Sequence, residues 1–256
     1  MPRNLLRLLD KLVRSNIYLY FLVRRIAVFL CRYVLLEDGF SFLRNVKPLG
    51  DSLALDVGSN DGTSIEMILQ TVPKAQIISF DPVRSPRTLK SQVTFKNVAL
   101  SDVTGDLILH SPWYGKRHLS QYSSSDRQKV VSQLCDEFDL QKSEIRLEEI
   151  RSPAIKLDSL ELTPFLIKID VEGHELKVLA GSESTLKRAL PIVLVEIQDE
   201  FSYREISIFL EDRGYFNLSW PQPGEKPDFS LRGDYKKSQN NYLFLPISPS
   251  STWEPQ

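Results

Sequence analysis

Cysteine is nearly missing from this chain: its 256 residues contain two, Cys31 and Cys135. They form neither a close pair nor a metal-like spacing, so no disulfide framework, zinc site or other metal centre is expected, and a reducing compartment fits. The chain also lacks an excess of charge. Its net charge of −1 offers no general footprint for nucleic acid. Internal repeats are absent, and fifteen prolines and eleven glycines are too few to imply disorder throughout. What remains is ordinary globular composition, 42% hydrophobic and 25% charged. The length suits one large α/β domain and is short for two.

Charge is unevenly spread. Residues 1–36 carry Arg3, Arg7, Lys11, Arg14, Arg24, Arg25 and Arg32 against Asp10 alone, a net +6 that leaves −7 for the rest. Leu5, Leu8, Leu9 and Leu12 mark one helical face. Ile17 to Leu36 is apolar enough to raise the question of a membrane span, but Arg24 and Arg25 sit in its middle, where charge is costly. No small-residue cleavage site follows, so a secretory signal is not expected. Two readings stay open for this segment, taken as residues 1–50 of the chain. It covers an edge of the domain, or it lies on an anionic membrane surface and makes a cytoplasmic protein peripheral there.

Beyond residue 51 strands alternate with helices. Apolar runs at 53–57, 76–80, 93–95 with 98–100, 106–109, 165–169 and 192–197 read as strands. Helical patterns fall at 63–71, 174–179, 183–189 and 203–213, and strands at 216–220 and 242–245 close the chain. Near-continuous apolar strands between helices predict a doubly wound, mostly parallel sheet covered on both faces, over residues 51–248. Residues 111–150 interrupt the rhythm as a polar, serine-rich insertion with a helix at 127–138, and 221–240 form a second long loop. Insertions of this kind in doubly wound folds usually lie at the C-terminal edge of the sheet, where ligands bind.

Three motifs carry chemistry. Asp56-Val57-Gly58-Ser59-Asn60-Asp61-Gly62 follows the first strand and opens a helix. Gly58 permits the turn, and Gly62 lets backbone and ligand approach closely. The loop is not the G-x-G-x-x-G that cradles a pyrophosphate. Its shorter G-x-N-x-G form suits a ligand without phosphates, and Asp56 can meet the amino group of an amino-acid moiety. Asp81 ends the next strand, nineteen residues past Gly62, where an acid can accept from ribose hydroxyls; the alternative is a turn aspartate before Pro82. Leu166 to Glu175 (LIKIDVEGHE) then gathers acids, a lysine and a histidine at one strand-to-helix junction. Asp170 stands at the strand tip, and Glu172 and His174 follow. A histidine beside carboxylates can serve as general base toward a hydroxyl. The alternative is that the acids cap the next helix and His174 stands by.

These stretches, with Phe80-Asp81-Pro82, Asn97 to Asp102, Ile155 to Leu160, Leu179-Ala180-Gly181 and Val195-Glu196-Ile197, resemble the FkbM-family methyltransferases over about residues 53–200. The resemblance implies a class I methyltransferase fold of Rossmann-like type with an antiparallel closing strand. It also implies S-adenosylmethionine as cofactor, held by Asp56, Gly58, Asn60, Gly62 and Asp81, with Ala99 near the adenine. The family usually has glutamate where this chain has Asp81, so the shorter side chain must approach the ribose more closely. The implied reaction is methyl transfer to a hydroxyl of a small molecule or glycan, most simply a sugar. His174 would be the base, with Asp170 and Glu172 orienting it or the acceptor. An inactive nucleoside-binding or scaffold protein on the same fold, and an NAD-dependent oxidoreductase, are the competing readings.

Overall fold

A computed structural model of the chain describes residues 17, 19, 39–86, 90–219, 232–236 and 239–255. The chain divides into two compact units, residues 36–107 with 151–256, and residues 1–35 with 108–150.

The larger unit opens with a 3-10 turn, Phe40–Asn45, and β1 (Val46–Pro48). There follow β2 (Leu53–Val57), α1 (Thr63–Thr71), β3 (Gln76–Phe80), β4 (Val93–Lys96) and β5 (Ala99–Leu100). β6 (Gly105–Tyr114) leads into the smaller unit, which holds β7 (Arg117–His118) and α2 (Arg127–Phe138), and β8 (Ile145–Ile155) leads back. Then come β9 (Leu166–Ile169), α3 (Glu175–Ala180), α4 (Glu183–Ala189), β10 (Ile192–Glu196), α5 (Glu200–Glu211), β11 (Tyr215–Asn217), β12 (Asn241–Pro246) and β13 (Trp253–Pro255).

Seven strands form one sheet in the order β11-β12-β10-β9-β2-β3-β4. The contiguous run from β10 to β4 is parallel, and β12 runs antiparallel to both β10 and β11. This is the class I methyltransferase sheet, with the expected antiparallel closing strand. Its strands are apolar on both sides because helices cover both faces. Ala54, Leu166, Leu194 and Leu243 pack with Ile65, Ile68 and the Phe40–Asn45 turn. The alternate residues Leu55, Ile167, Ile169, Val193 and Val195 pack with Val178, Leu179, Leu186, Ile206 and Leu210 of α3 to α5. Truncating one such side chain to alanine costs about 2–5 kcal/mol.

Most elements fall where the sequence places them. The stretches 93–95 and 98–100 do not make a single strand: β4 belongs to the large sheet, whereas β5 pairs with β8. β8 is an eleven-residue strand in and beyond the stretch read as a polar insertion; its charged residues, with Glu148 and Glu149 adjacent, break the alternation begun by Ile145 and Leu147. In the smaller unit α2 is capped by Asp126, whose side chain accepts from the N–H groups of Gln128 and Lys129. Val130, Leu134 and Phe138 of α2 pack with Leu119, Tyr122 and the helical residue Ile17. The rest of the basic N-terminal segment, apart from Leu19, and most of the 221–240 loop lie outside the described residues. Among the described residues no helix is long and apolar enough to cross a membrane.

Candidate active site

The parallel strands point their C-terminal ends at one edge of the sheet, and the sequence motifs gather there. β2 ends at Val57 and the chain turns through Gly58, whose φ is +84°. Its N–H donates to Phe80 O at 2.8 Å. A Cβ at Gly58 would stand 1.7 Å from the carbonyl oxygen of Asp170, so backbone from β2 and the tip of β9 meet with no room for a side chain. Asn60 (φ +44°) and Gly62 (φ +88°) complete the loop, and Gly62 caps α1 in the left-handed region. At Gly62 the nearest neighbour of an added Cβ is Pro86, at 3.0 Å.

Asp81 ties this loop to β3. Its Oδ2 accepts from Asn60 N–H at 2.8 Å, and its Oδ1 from the N–H groups of Val83 at 2.8 Å and Arg84 at 2.7 Å. A carboxylate offers about four lone-pair sites, so acceptor capacity remains for one further hydroxyl, on Oδ2. Burial pushes the Asp81 carboxyl up from its ordinary value; the backbone donors from Arg84, Val83 and Asn60 oppose this, and the charge of Asp170 reinforces it.

Below the loop lies a polar layer set by strand register. Asp56 on β2 faces Ser79 on β3 and Lys168 on β9 as Cα partners. Asp56 has no exposed surface. Its Oδ2 accepts from Ser64 Oγ at 2.7 Å, whereas its Oδ1, like the buried hydroxyls of Ser59 and Ser79, has no hydrogen-bond partner. Burial raises its carboxyl to about 6 against the opposing charge of Lys168 and the Ser64 bond. Asp56 therefore lies wholly beneath the loop, with one carboxylate oxygen unpartnered.

Lys168 is the buried cation of the site. Its Nζ lies 2.8 Å from Asp170 Oδ2. Burial disfavours its charge, but the carboxylates of Asp170, Asp56 and Glu196 outweigh burial and hold the ammonium above its ordinary value. Asp170 keeps 29% of its side chain exposed. Glu196 ends β10, the strand next to β9. The charge of Asp170 pushes the Glu196 carboxyl up to about 9, with burial adding to it and Lys168 opposing.

Glu172 (φ +53°) accepts from Gln198 Nε2 at 2.8 Å. His174 caps α3 and is 5% exposed. Its Nε2 lies 2.9 Å from Ser101 Oγ, and that hydroxyl donates to Asp102 Oδ1 at 3.0 Å. A serine has one proton to give, so Nε2 donates and the imidazole lone pair is on Nδ1. Burial, reinforced by Lys177 and opposed by Asp102, lowers the His174 pKa. Ala99, on β5, is buried just ahead of this turn. Sequence reasoning left Lys168, Glu196 and Ser64 without roles. The available signal was a lysine inside an apolar strand of four buried residues, which demands acidic partners. Among the described residues, no group of three or more His, Cys, Asp or Glu side chains could hold a metal ion.

The geometry can be set beside known proteins. The family model "Methyltransferase FkbM domain" matches residues 56–216. The 2-O-methyltransferase NoeI of Sinorhizobium fredii is 28% identical over 177 residues, 60% of this chain and 66% of NoeI. The crystal structure of methyltransferase FkbM from Methylobacillus flagellatus aligns with 76% of this chain and 43% of its own, at 14% identity and a TM-score of 0.42. The MycE methyltransferase of the mycinamycin pathway, solved with Mg and SAH, aligns with 77% of this chain and 41% of its own, at 10% identity and a TM-score of 0.37.

Proposed function

Because the chain belongs to the FkbM methyltransferase family, we propose that it transfers a methyl group from S-adenosylmethionine to a hydroxyl oxygen of a small molecule or glycan. The observation that carries the reading is the junction of the Gly58–Gly62 loop with the tips of β3 and β9, through Asp81 and the Asp170 carbonyl. The residues fit the donor. Asp56 Oδ1 and Ser59 Oγ are buried without partners beside the loop, and Asp81 Oδ2 can accept one ribose hydroxyl. Ala99 belongs near the adenine by the family pattern.

When bound, the donor supplies a methyl group already activated by its sulfonium, so the protein's task is alignment and removal of one proton. Asp170, exposed at the strand tip and charge-paired to Lys168, is the group we assign to take that proton, with Glu172 beside it to orient the acceptor. His174, the first candidate from sequence, is buried with Nε2 on Ser101, and we assign it to hold the turn after Ala99. The 2-O-methyltransferase relative favours an oxygen acceptor, and the family resemblance suggests a sugar hydroxyl, in a cytoplasmic setting that residues 1–36 bring to the membrane surface. Incubation with methyl-labelled donor and a panel of glycans and hydroxylated metabolites tests this. A methyl ether should form and should vanish in Asp170→Asn. Transfer only to nitrogen or carbon acceptors would refute it.

A further inference from the structure

A charge inside an apolar strand is costly. β9 is buried at all four positions, and the Lys168 side chain is 4% exposed. Replacing a buried ion pair by apolar residues of similar volume is often neutral or stabilising, so the fold alone does not account for this lysine. Its Nζ donates to Asp170 Oδ2 at 2.8 Å, and Asp170 keeps 29% of its side chain exposed at the strand tip. One end of the pair is locked inside the sheet and the other stands at its edge. Acids surround it. Asp56 on β2 is the Cα partner of Lys168, and Glu196 ends β10 on the other side. Asp81 at the end of β3 and Glu172 in the turn after Asp170 add negative charge, while Glu175 in the same turn accepts from the N–H groups of Val171 and Gly173. Like charges disfavour ionisation. Among these neighbours alone Asp170 would hold on to a proton, and a protonated carboxyl cannot accept another.

We propose that Lys168 is a positioning residue for methyl transfer, which keeps the Asp170 carboxylate ionised and fixed in place through the Nζ–Oδ2 bond. The role rests on the assignment of Asp170 as proton acceptor. As the acceptor oxygen bonds to the methyl carbon, the C–S bond breaks with its electrons going to sulfur. The hydroxyl proton passes to Asp170 and from there to solvent. The ammonium makes Asp170 a weaker base but one that is ready to act, because it is ionised before the acceptor arrives. Without that charge, Asp170 ionises only at higher pH. An arginine would bring the same charge in a wider, planar form.

The pH dependence of kcat for methyl-ether formation tests the role. Lys168→Met keeps the length of the side chain and removes its charge. The acid limb of the profile should move up by about one unit or more, the low end of what one opposite charge does. Below the limb kcat should fall by about tenfold or more, and at alkaline pH it should return towards wild type. Lys168→Arg should bring the limb back towards its wild-type position. A lysine with a merely structural role would lower kcat by the same factor at every pH. An unmoved limb in folded Lys168→Met, or an equal shift in Lys168→Arg, would overturn the inference alone. If Lys168→Met does not fold, the wild-type protein still decides. The Asp170 carboxyl carbon, identified in carbon NMR spectra by its loss in Asp170→Asn, should be ionised at about pH 7, well above the ordinary aspartate value. A protonated Asp170 there would overturn the role. Wild-type protein that forms no methyl ether with any acceptor would overturn the methyl-transfer reading and the inference with it.

Discussion

Substituting Gly58 by alanine tests the junction on which the site is built. Two costs add at this position. A non-glycine residue held in the left-handed region loses about 1–2 kcal/mol. The new Cβ must also displace the Asp170 carbonyl, 1.7 Å away, and overpacking of this kind costs about 1–3 kcal/mol. Reduced freedom of the unfolded chain returns about 0.4–1 kcal/mol, leaving a net loss of about 1–4.6 kcal/mol. In a domain of this size that lowers the melting temperature by roughly 2–18 °C. Two controls separate the terms. Gly50 has φ +66° with nothing within 4 Å of its added Cβ, so Gly50→Ala should lose at most about 1.6 kcal/mol. Gly181 has ordinary dihedrals, but its Cβ would stand 2.0 Å from Ser101 O, so Gly181→Ala carries the steric cost alone. Melting followed by circular dichroism orders the three. If Gly58→Ala melts with Gly50→Ala, the close approach of β2 and the β9 tip is wrong.

Three further outcomes are expected. Asp81→Ala should weaken donor binding by about 1.5–3 kcal/mol, one charge-assisted hydrogen bond, and should also loosen the loop, because Asn60 loses its acceptor; unchanged affinity by calorimetry removes Asp81 from the cofactor site. His174 has a lowered pKa, so its proton is held better by the unfolded chain. Stability should therefore fall as pH drops below about 6.5, the unfolded value. His174→Gln should flatten that fall in urea titrations at pH 5.5 and 7.5 while keeping turnover near wild type; a loss of turnover of about 10²-fold with donor affinity intact would return the base role to His174. Residues 1–36, with their net charge of +6, should carry the protein to anionic vesicles in flotation, with binding lost in high salt and on deleting the segment; no flotation at low salt rejects the tether.

The large sheet was legible because its strands are short, apolar and bounded by glycine, proline or aspartate. β2, β3 and α1 fall on the residues read from sequence. β8 was not, since an exposed strand reads as polar loop when charges fill its outward positions. The loop glycines were legible as a turn, but the neighbour that Gly58 must avoid comes from 112 residues further along the chain. His174 read as a general base beside its acids or as a bystander, and only the fold shows its Nε2 on Ser101. Lys168 and Glu196 were visible as letters, yet their meaning depends on strand order, because β9 lies between β2 and β10.

The central claim is that this edge of the sheet binds a methyl donor rather than a dinucleotide. Isothermal titration of the purified chain with S-adenosylmethionine and, separately, with NAD addresses it most directly. The account predicts saturable binding of S-adenosylmethionine that Asp81→Ala weakens, and no binding of NAD. Saturable NAD binding with no response to S-adenosylmethionine would contradict it.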